Sequence, residues 1–415
     1  MKDLGKRIFC MNCQSELPDD LLIVGNQYPS AIYSSGKEKD IEKTSLNITQ
    51  CSNKECRLVQ LSNKYNLQQV FENYPYESAT TISMIKILKD IVDAAKKWRK
   101  LDKSDIVLDI GGNDGTLLNL IGTKVKSLVN IDASNILPRV DKENYIHIRS
   151  RFNSKIYKDL GLPNPKIIFS IAMFYHLDDP NSFVKSVHEI MDDDSIWIVQ
   201  MTYLGSMIEN NIIDNVVHEH VAYYSLKSFQ FLIDRNGLKI EEAEIVNSYG
   251  GSLRVYISKK TKKSDTFQKR NNYNLIEKYE KNTKLNDQET IIKFNDRIQA
   301  VKIILQNYLK LGNQMYGKIW GFGASTKGNM LLQYIETSNQ EIEYILDNNK
   351  SKIGTITLGT EIPIIDEQEN LYIMPKIIFI LPYYYSEAFI QLFKMKKITN
   401  KIIIKPLPFP SLIEI

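Results

Sequence analysis

The stretch that constrains this chain most is Val107-Leu108-Asp109-Ile110-Gly111-Gly112-Asn113-Asp114-Gly115-Thr116-Leu117-Leu118. An apolar, β-branched run from Ile106 to Ile110 reads as a buried parallel strand, and it stops at a glycine pair where a helix-like pattern begins. Glycines at such a turn let the backbone come close to a ligand, and the helix N-terminus offers unpaired N–H groups to a carboxylate or another polar group. About 20 residues on, a second apolar run from Ser127 to Ile131 ends at Asp132, where a carboxylate can accept hydrogen bonds from a ribose diol. The spacing fits a nucleoside ligand; a purely structural turn is the alternative.

The glycine pattern separates two nucleoside ligands. A dinucleotide fold would carry G-x-G-x-x-G, whereas here an acid stands ahead of the glycines, as Asp109-x-Gly111-Gly112-x-x-Gly115. This resembles the D-x-G-x-x-x-G turn of class I methyltransferases that bind S-adenosylmethionine (SAM). The resemblance implies a Rossmann-like α/β domain that holds SAM through Asp109, Gly111, Gly112, Asn113, Gly115 and Asp132.

At 415 residues the chain is too long for one ordinary core, so two or three domains are expected. With 43% hydrophobic and 25% charged residues the composition is that of a soluble globular protein, and a net charge of +4 argues against a dedicated nucleic-acid binder. No stretch has the 18 or so apolar residues of a membrane span, and the start, Met1-Lys2-Asp3-Leu4-Gly5-Lys6-Arg7, lacks the apolar segment of a signal peptide. A cytoplasmic, membrane-free protein is expected.

All four cysteines fall early, as Cys10-x-x-Cys13 and Cys51-x-x-x-x-Cys56. In a reducing compartment such pairing reads as four thiolates around one structural Zn²⁺, each short loop folding two sulfurs onto the ion; disulfides and a nucleic-acid-gripping ribbon are the alternatives. The knuckle is not obviously basic. An aromatic loop, Phe71 to Thr81, follows, then a helix expected from Ile82 to Leu101. Its tyrosines could simply pack against that helix.

From Ile85 on, helices alternate with apolar runs, the pattern of a parallel sheet covered on both faces. A strand from Ile167 to Ala172 leads to His176, just past a strand end where the ligand crevice of an open α/β sheet lies. After the strand Ile196 to Met201 comes Val217-His218-Glu219-His220. Its spacing is not the one-face arrangement of a helical H-E-x-x-H metal site, so a general base oriented by a neighbouring carboxylate is the better reading. The sheet is expected to close with a hairpin strand, Ser248 to Tyr256, carrying Arg254 near the substrate.

The separated motifs together resemble the sugar C-methyltransferases, over nearly the full length. The residues that carry the likeness are the cysteine pairs with Arg57-Leu58-Val59-Gln60-Leu61, His218-Glu219-His220 with Tyr224-Ser225, and Gly250-Gly251-Ser252-Leu253-Arg254. The resemblance implies an enzyme that methylates carbon on a nucleotide-linked keto-deoxysugar, with zinc, SAM and C-terminal domains. It makes His220 the base, with Glu219, His176 and Tyr76 beside it, and Tyr224 and Arg254 on the substrate. One departure is Val217, where the family usually has Tyr; Tyr223 or Tyr224 could supply that hydroxyl.

Past a charged linker, Lys259 to Asp265, a helical region reaches about Leu311, and a second strand-turn-helix follows at Lys318 to Asn329. Gly323, Ser325 and Lys327 at that turn can hold a phosphate, though the pattern is not a Walker A loop. The likeness continues through G-x-G-A-S-x-K-G and Tyr344-Ile345-Leu346-Asp347-Asn348, implying a Rossmann-like domain that helps hold the nucleotide-sugar, Asp347 included. A non-binding scaffold is the alternative. The second departure is Tyr383-Tyr384, where relatives commonly have Trp-Asn after the Pro. The expected domains are 1–80 (zinc), 81–260 (SAM) and 261–415 (substrate), in a monomer. The rival functions are methylation of oxygen or nitrogen on a sugar or small metabolite, and a zinc-bearing binding protein without catalysis.

Overall fold

Apolar runs of the middle third build one seven-stranded sheet, in the order Leu238–Val246, Ser252–Lys259, Ile196–Thr202, Ile167–Ile171, Ile106–Ile110, Ser127–Asp132, Tyr145–Arg149. The computed structural model describes residues 2–35, 41–66, 77–80, 82–248, 250–261 and 271–415. Every residue of Ile106–Ile110 and of Ser127–Asp132 is buried, because helices cover both faces. Met84, Leu88 and Ile91 of the helix Ile82–Trp98 pack with Val107 and Phe169 on one face, while Val184 and Val187 of Pro180–Ile190 pack with Leu108 and Trp197 on the other. Ser252–Lys259 runs antiparallel to both neighbours. In chain order within the sheet the strands stand 3-2-1-4-5-7-6, with the seventh reversed. The order turns back between Ile106–Ile110 and Ile167–Ile171, which opens a crevice at their carboxyl ends.

A second sheet repeats the device. Its order is Ile364–Asp366, Tyr344–Asp347, Ile319–Phe322, Ile377–Ile380, Ile402–Lys405, Ser411–Glu414, the first five parallel and the last antiparallel. Here the order turns back between Ile319–Phe322 and Ile377–Ile380, beside the second glycine turn. The long helix Gln288–Tyr316 leads into this sheet, burying Ile291, Phe294, Ile298, Val301, Leu305 and Leu309 at helical spacing. Lys259 ends a strand, and residues 262–265 of the expected linker lie outside the described residues. The helix Asn271–Asn282, expected with the C-terminal domain, instead serves the central sheet. Its buried Glu280 accepts hydrogen bonds from Tyr203 Oη (2.9 Å) and from Leu226 N at the start of the helix Leu226–Arg235 (2.6 Å).

The N-terminal segment pairs with short strands from both the central and the C-terminal parts of the chain, outside their main sheets. Its four-stranded sheet has the order Ala222–Tyr223, Val59–Leu61, Thr44–Gln50, Leu22–Gln27, so its first strand comes from just beyond His218-Glu219-His220. Tyr33–Ser34 pairs with Ile356–Thr357 in the C-terminal part. Among the described residues, no helix is long and apolar enough to cross a membrane.

Candidate active site

The first glycine turn is built by its acids. Asp132 Oδ2 accepts from Asn113 N at 2.8 Å and Oδ1 from Ser134 N at 2.7 Å, which leaves each oxygen a further lone pair for a hydroxyl. Asp114 Oδ1 accepts from Thr116 N (3.0 Å) and Oδ2 from Ala79 N (2.8 Å), while Asn113 Oδ1 accepts from Ser78 N (2.9 Å). The end of the tyrosine loop, Ser78 and Ala79, is thereby fastened to the turn; Tyr76 itself lies outside the described residues. Gly111 (φ +73°) and Gly115 (φ +79°) adopt the left-handed conformation. A Cβ on Gly112 would stand 2.6 Å from Asp109 Oδ2, so only a bare backbone fits there. Burial, reinforced by Asp132 and Asp114, pushes the Asp109 carboxyl up to about 8. Asp109, Gly111, Gly112, Asn113 and Asp132 line one wall of a cleft of about 800 Å³. Backbone donors, a diol acceptor and an acid beside a side-chain-free turn suit the ribose and amino-acid ends of SAM.

The same cleft is lined by His176, Glu219 and His220. The loop that bears Glu219 and His220 is held just past His220 by two backbone bonds of Val221: Leu61 N donates to its O (3.0 Å), and its N donates to Tyr175 O (2.9 Å) in the turn that carries His176. His220 Nδ1–H donates to Asn215 O at 2.9 Å, which fixes the tautomer and leaves the Nε2 lone pair unprotonated. Tyr175 packs edge-on against the ring at 4.5 Å, and His176 lies nearly parallel to it at 5.3 Å, 17° apart. Burial, with His176 and Lys327 adding to it, holds the His220 imidazole well below 6.5, so it is neutral at physiological pH. Burial pushes Glu219 up to about 7. His218 points away from the cleft: it is buried, bonded through Nε2 to Thr44 Oγ1 (2.8 Å) and packed against Tyr65.

Several expected substrate residues lie elsewhere. Tyr224 is buried in an aromatic cluster with Phe174 and Phe229, each 5.5 Å away, and Tyr223 is equally buried in the strand beside Val59, so neither replaces the hydroxyl missing at Val217, which does line the cleft. Arg254 is a clamp inside the fold: Nε donates to Gln200 Oε1 (2.7 Å), Nη2 to Asp90 Oδ2 (2.6 Å) and Nη1 to Glu244 Oε1 (3.3 Å). It ties the sheet to the helix Ile82–Trp98 and does not line the cleft.

The second glycine turn splits the remaining four. Asp347 Oδ2 accepts from Ala324 N (2.7 Å), Ser325 Oγ caps the helix Thr326–Tyr334 by accepting from Gly328 N (3.0 Å), and Gly323 (φ +83°) sits against Pro382. All three build the turn. Tyr33 Oη (2.8 Å) and Lys352 Nζ (2.6 Å) both donate to Ala324 O, closing over it from the N-terminal segment and from the C-terminal sheet's own side. Only Thr326 and Lys327 reach the cleft, where they meet His220 from across the molecule. Proximity across 107 positions has no signal in one sequence.

The four cysteine sulfurs lie within 4.8 Å of one another, with Cys10–Cys56 at 3.7 Å and Cys13–Cys51 at 3.4 Å. A tetrahedral ion with metal–sulfur bonds of about 2.3 Å would set sulfurs about 3.8 Å apart, so the set fits a metal ion. The knuckle is anchored on the central domain: Asn181 Nδ2 donates to Met11 O (2.8 Å) and Asn12 Nδ2 to Ser228 O (3.0 Å).

A 3-2-1-4-5-7-6 sheet with an acid-flanked glycine turn at its switch point and an acid at the end of the second strand defines a class I SAM-dependent methyltransferase. Residues 82–243 match the description "Methyltransferase domain" and residues 247–408 "C-methyltransferase C-terminal domain", which together span most of the chain. The chain is 24% identical over 362 residues to the C-methyltransferase NovU of Streptomyces niveus, covering 86% of this chain and 85% of that one. Among solved structures, it is similar to the plantazolicin methyltransferase BamL (15% identity, 46% of this chain and 94% of that one, TM-score 0.34). It is also similar to a SAM-dependent methyltransferase from Aquifex aeolicus (18%, 42% and 96%, TM-score 0.31). The chain thus carries a methyltransferase domain followed by a C-methyltransferase C-terminal domain.

Proposed function

We propose that the protein methylates a carbon next to the carbonyl of a nucleotide-linked keto-deoxysugar, with His220 as the base. The observation that carries this is the tautomer of His220: its Nδ1–H is committed to Asn215 O, so the Nε2 lone pair is the ring's remaining proton acceptor, in the same cleft as the Asp109–Asn113 turn. SAM, when bound, supplies an electrophilic methyl group. A C–H beside a carbonyl is acidic because the electron pair left behind delocalises onto oxygen. His220 Nε2 takes that proton, and the carbon then forms the new bond to the methyl group, with the proton passing from the imidazole to solvent. Near pH 7 a large share of Glu219 is protonated and can donate a hydrogen bond to the sugar oxygen that gains charge. His176 packs flat on His220 and keeps the base ring in place. Zn²⁺ on Cys10, Cys13, Cys51 and Cys56 has four thiolates and no open position, so its role is structural. The C-terminal domain presents the sugar to this cleft.

The test is the position of the transferred methyl. With ¹³C-methyl-labelled SAM and a panel of nucleoside-diphosphate-linked keto-sugars, the reading predicts a product whose labelled carbon is bonded to carbon by NMR. A label on oxygen or nitrogen would contradict it.

A further inference from the structure

The second sheet sends a cation into the methyl-transfer cleft. Lys327 is the second residue of the helix Thr326–Tyr334, which springs from the glycine turn after Ile319–Phe322. Its Nζ is buried, with no hydrogen-bond partner among the described residues. It stands 5.1 Å from the centre of the Tyr384 ring. The neighbouring Asp214, also buried, accepts at 3.0 Å from Tyr383 Oη. Of the pair Tyr383-Tyr384, at which this chain departs from the sugar C-methyltransferases it resembles, Tyr384 thus lies against that ammonium and Tyr383 braces Asp214.

An ammonium is a strongly hydrated group with three donors, and burying it without an acceptor is costly. Its place is doubly unfavourable for stability, since a cation in the first turn of a helix opposes the helix dipole. The tyrosine face and the Asp214 charge hold it without using its donors, which leaves those donors for whatever fills the cleft. Lys327 lines the cleft together with His220, Glu219 and His176, and it is close enough to His220 to help keep that imidazole neutral.

We propose that Lys327 is a catalytic residue: its ammonium pairs with the substrate's carbonyl oxygen and stabilises the negative charge that oxygen acquires when His220 removes the neighbouring proton. The proposal rests on the base-assisted reading above. In the step, the C–H bond breaks, its proton goes to His220 Nε2, and its electron pair moves into the carbon–carbon bond as the carbonyl π pair moves to oxygen beside Lys327. When the carbon takes the methyl group the electrons return, the carbonyl reforms, and S-adenosylhomocysteine leaves. Lys327 stays protonated throughout, so no oxidant or further co-reactant is required. A phosphate anchor would bind substrate and transition state alike, whereas a partner for the developing oxyanion acts mainly on turnover.

Lys327→Met removes the charge at nearly constant length, and Lys327→Arg restores charge with a different shape. Each is compared with the wild-type protein for S-adenosylhomocysteine binding by calorimetry, for kcat and KM with the nucleoside-diphosphate-linked keto-sugar that the wild type methylates, and for deuterium uptake at that sugar's α-carbon without SAM. The proposal expects Lys327→Met to bind S-adenosylhomocysteine as the wild type does and to lose kcat by about 10²–10³-fold with deuterium uptake slowed in parallel, and Lys327→Arg to recover part of both. A raised KM with kcat within about threefold would overturn it in favour of phosphate anchoring, as would undiminished deuterium uptake. Should Lys327→Met not bind S-adenosylhomocysteine, the Lys327→Arg protein decides by the same split, a kcat loss supporting the proposal and a KM change alone opposing it. Absence of deuterium uptake by the wild type would instead sink the base-assisted reading.

Discussion

At the scale of single residues, burial sets the chemistry, and it works on each group with a definite sign. The cleft keeps His220 neutral far below pH 6.5, so its own protonation does not shape the pH profile near neutrality. Glu219 does: its carboxyl, pushed up to about 7, loses its donor proton as pH rises through that value. Turnover is expected to fall on the alkaline side of about pH 7, and Glu219→Gln, which donates at every pH, to flatten that limb in a kcat profile while keeping measurable activity. Stability follows the same groups. Asp109 is raised from 3.8 to about 8 by burial, so the folded state holds a proton that the unfolded chain has released between those values. Its stabilising contribution is complete below about pH 4 and is lost as pH rises through about 8. Melting scans of Asp109→Asn should therefore show a weaker fall in Tm from pH 5 to pH 8 than the wild type. Arg254 gives a contrasting prediction: Arg254→Ala leaves the buried Gln200 Oε1 without its donor and unties the half-buried Glu244 and exposed Asp90, and should cost about 2 kcal/mol in denaturant unfolding, with KM of the folded enzyme unchanged. An Arg two residues into a hairpin strand looks the same in sequence whether it faces a ligand or a helix, so the sequence alone does not separate a substrate contact from this clamp.

At the scale of elements, local pattern carries most of what is legible in the sequence. The strand Ile106–Ile110, its glycine turn and Asp132 were legible because alternation, glycine and a terminal acid are local signals. So was the cysteine cluster. What the pattern could not carry is the pairing of Ala222–Tyr223 with Val59–Leu61, which makes the cysteine module a support for the base loop. The module is bonded to that strand, Cys51 N donating to Leu58 O (2.9 Å) and Met11 N to Gln60 Oε1 (3.1 Å), so loosening the buried cysteines should move His220. Cys56→Ser, or stripping metal with a chelator, is expected to abolish turnover while S-adenosylhomocysteine still binds at the Asp109–Gly115 turn, as calorimetry beside an activity assay would show. Equal loss of both would mean the module supports the whole fold and not the loop.

At the scale of the whole molecule, two sheets of similar design turn their switch points toward one cleft, and the N-terminal segment ties them together. Only half of the symmetry is functional in the same sense. The first turn keeps its backbone open to the cleft, while the second is overlaid by Tyr33 and Lys352 and sends only Thr326 and Lys327 across. The second turn read as a phosphate site because its glycines and helix start mimic one; the cover comes from residue 33, and no local window contains it. The central claim is that His220 makes a carbon nucleophile before any methyl moves. Its most direct measurement is ¹H NMR of the keto-sugar substrate in D₂O with S-adenosylhomocysteine and without SAM, using wild-type protein and His220→Gln. The account predicts that the wild type washes deuterium into the carbon next to the carbonyl and that His220→Gln slows this about 10²–10⁴-fold. Equal exchange by the two proteins, or none by a wild type that still methylates the sugar, would contradict it.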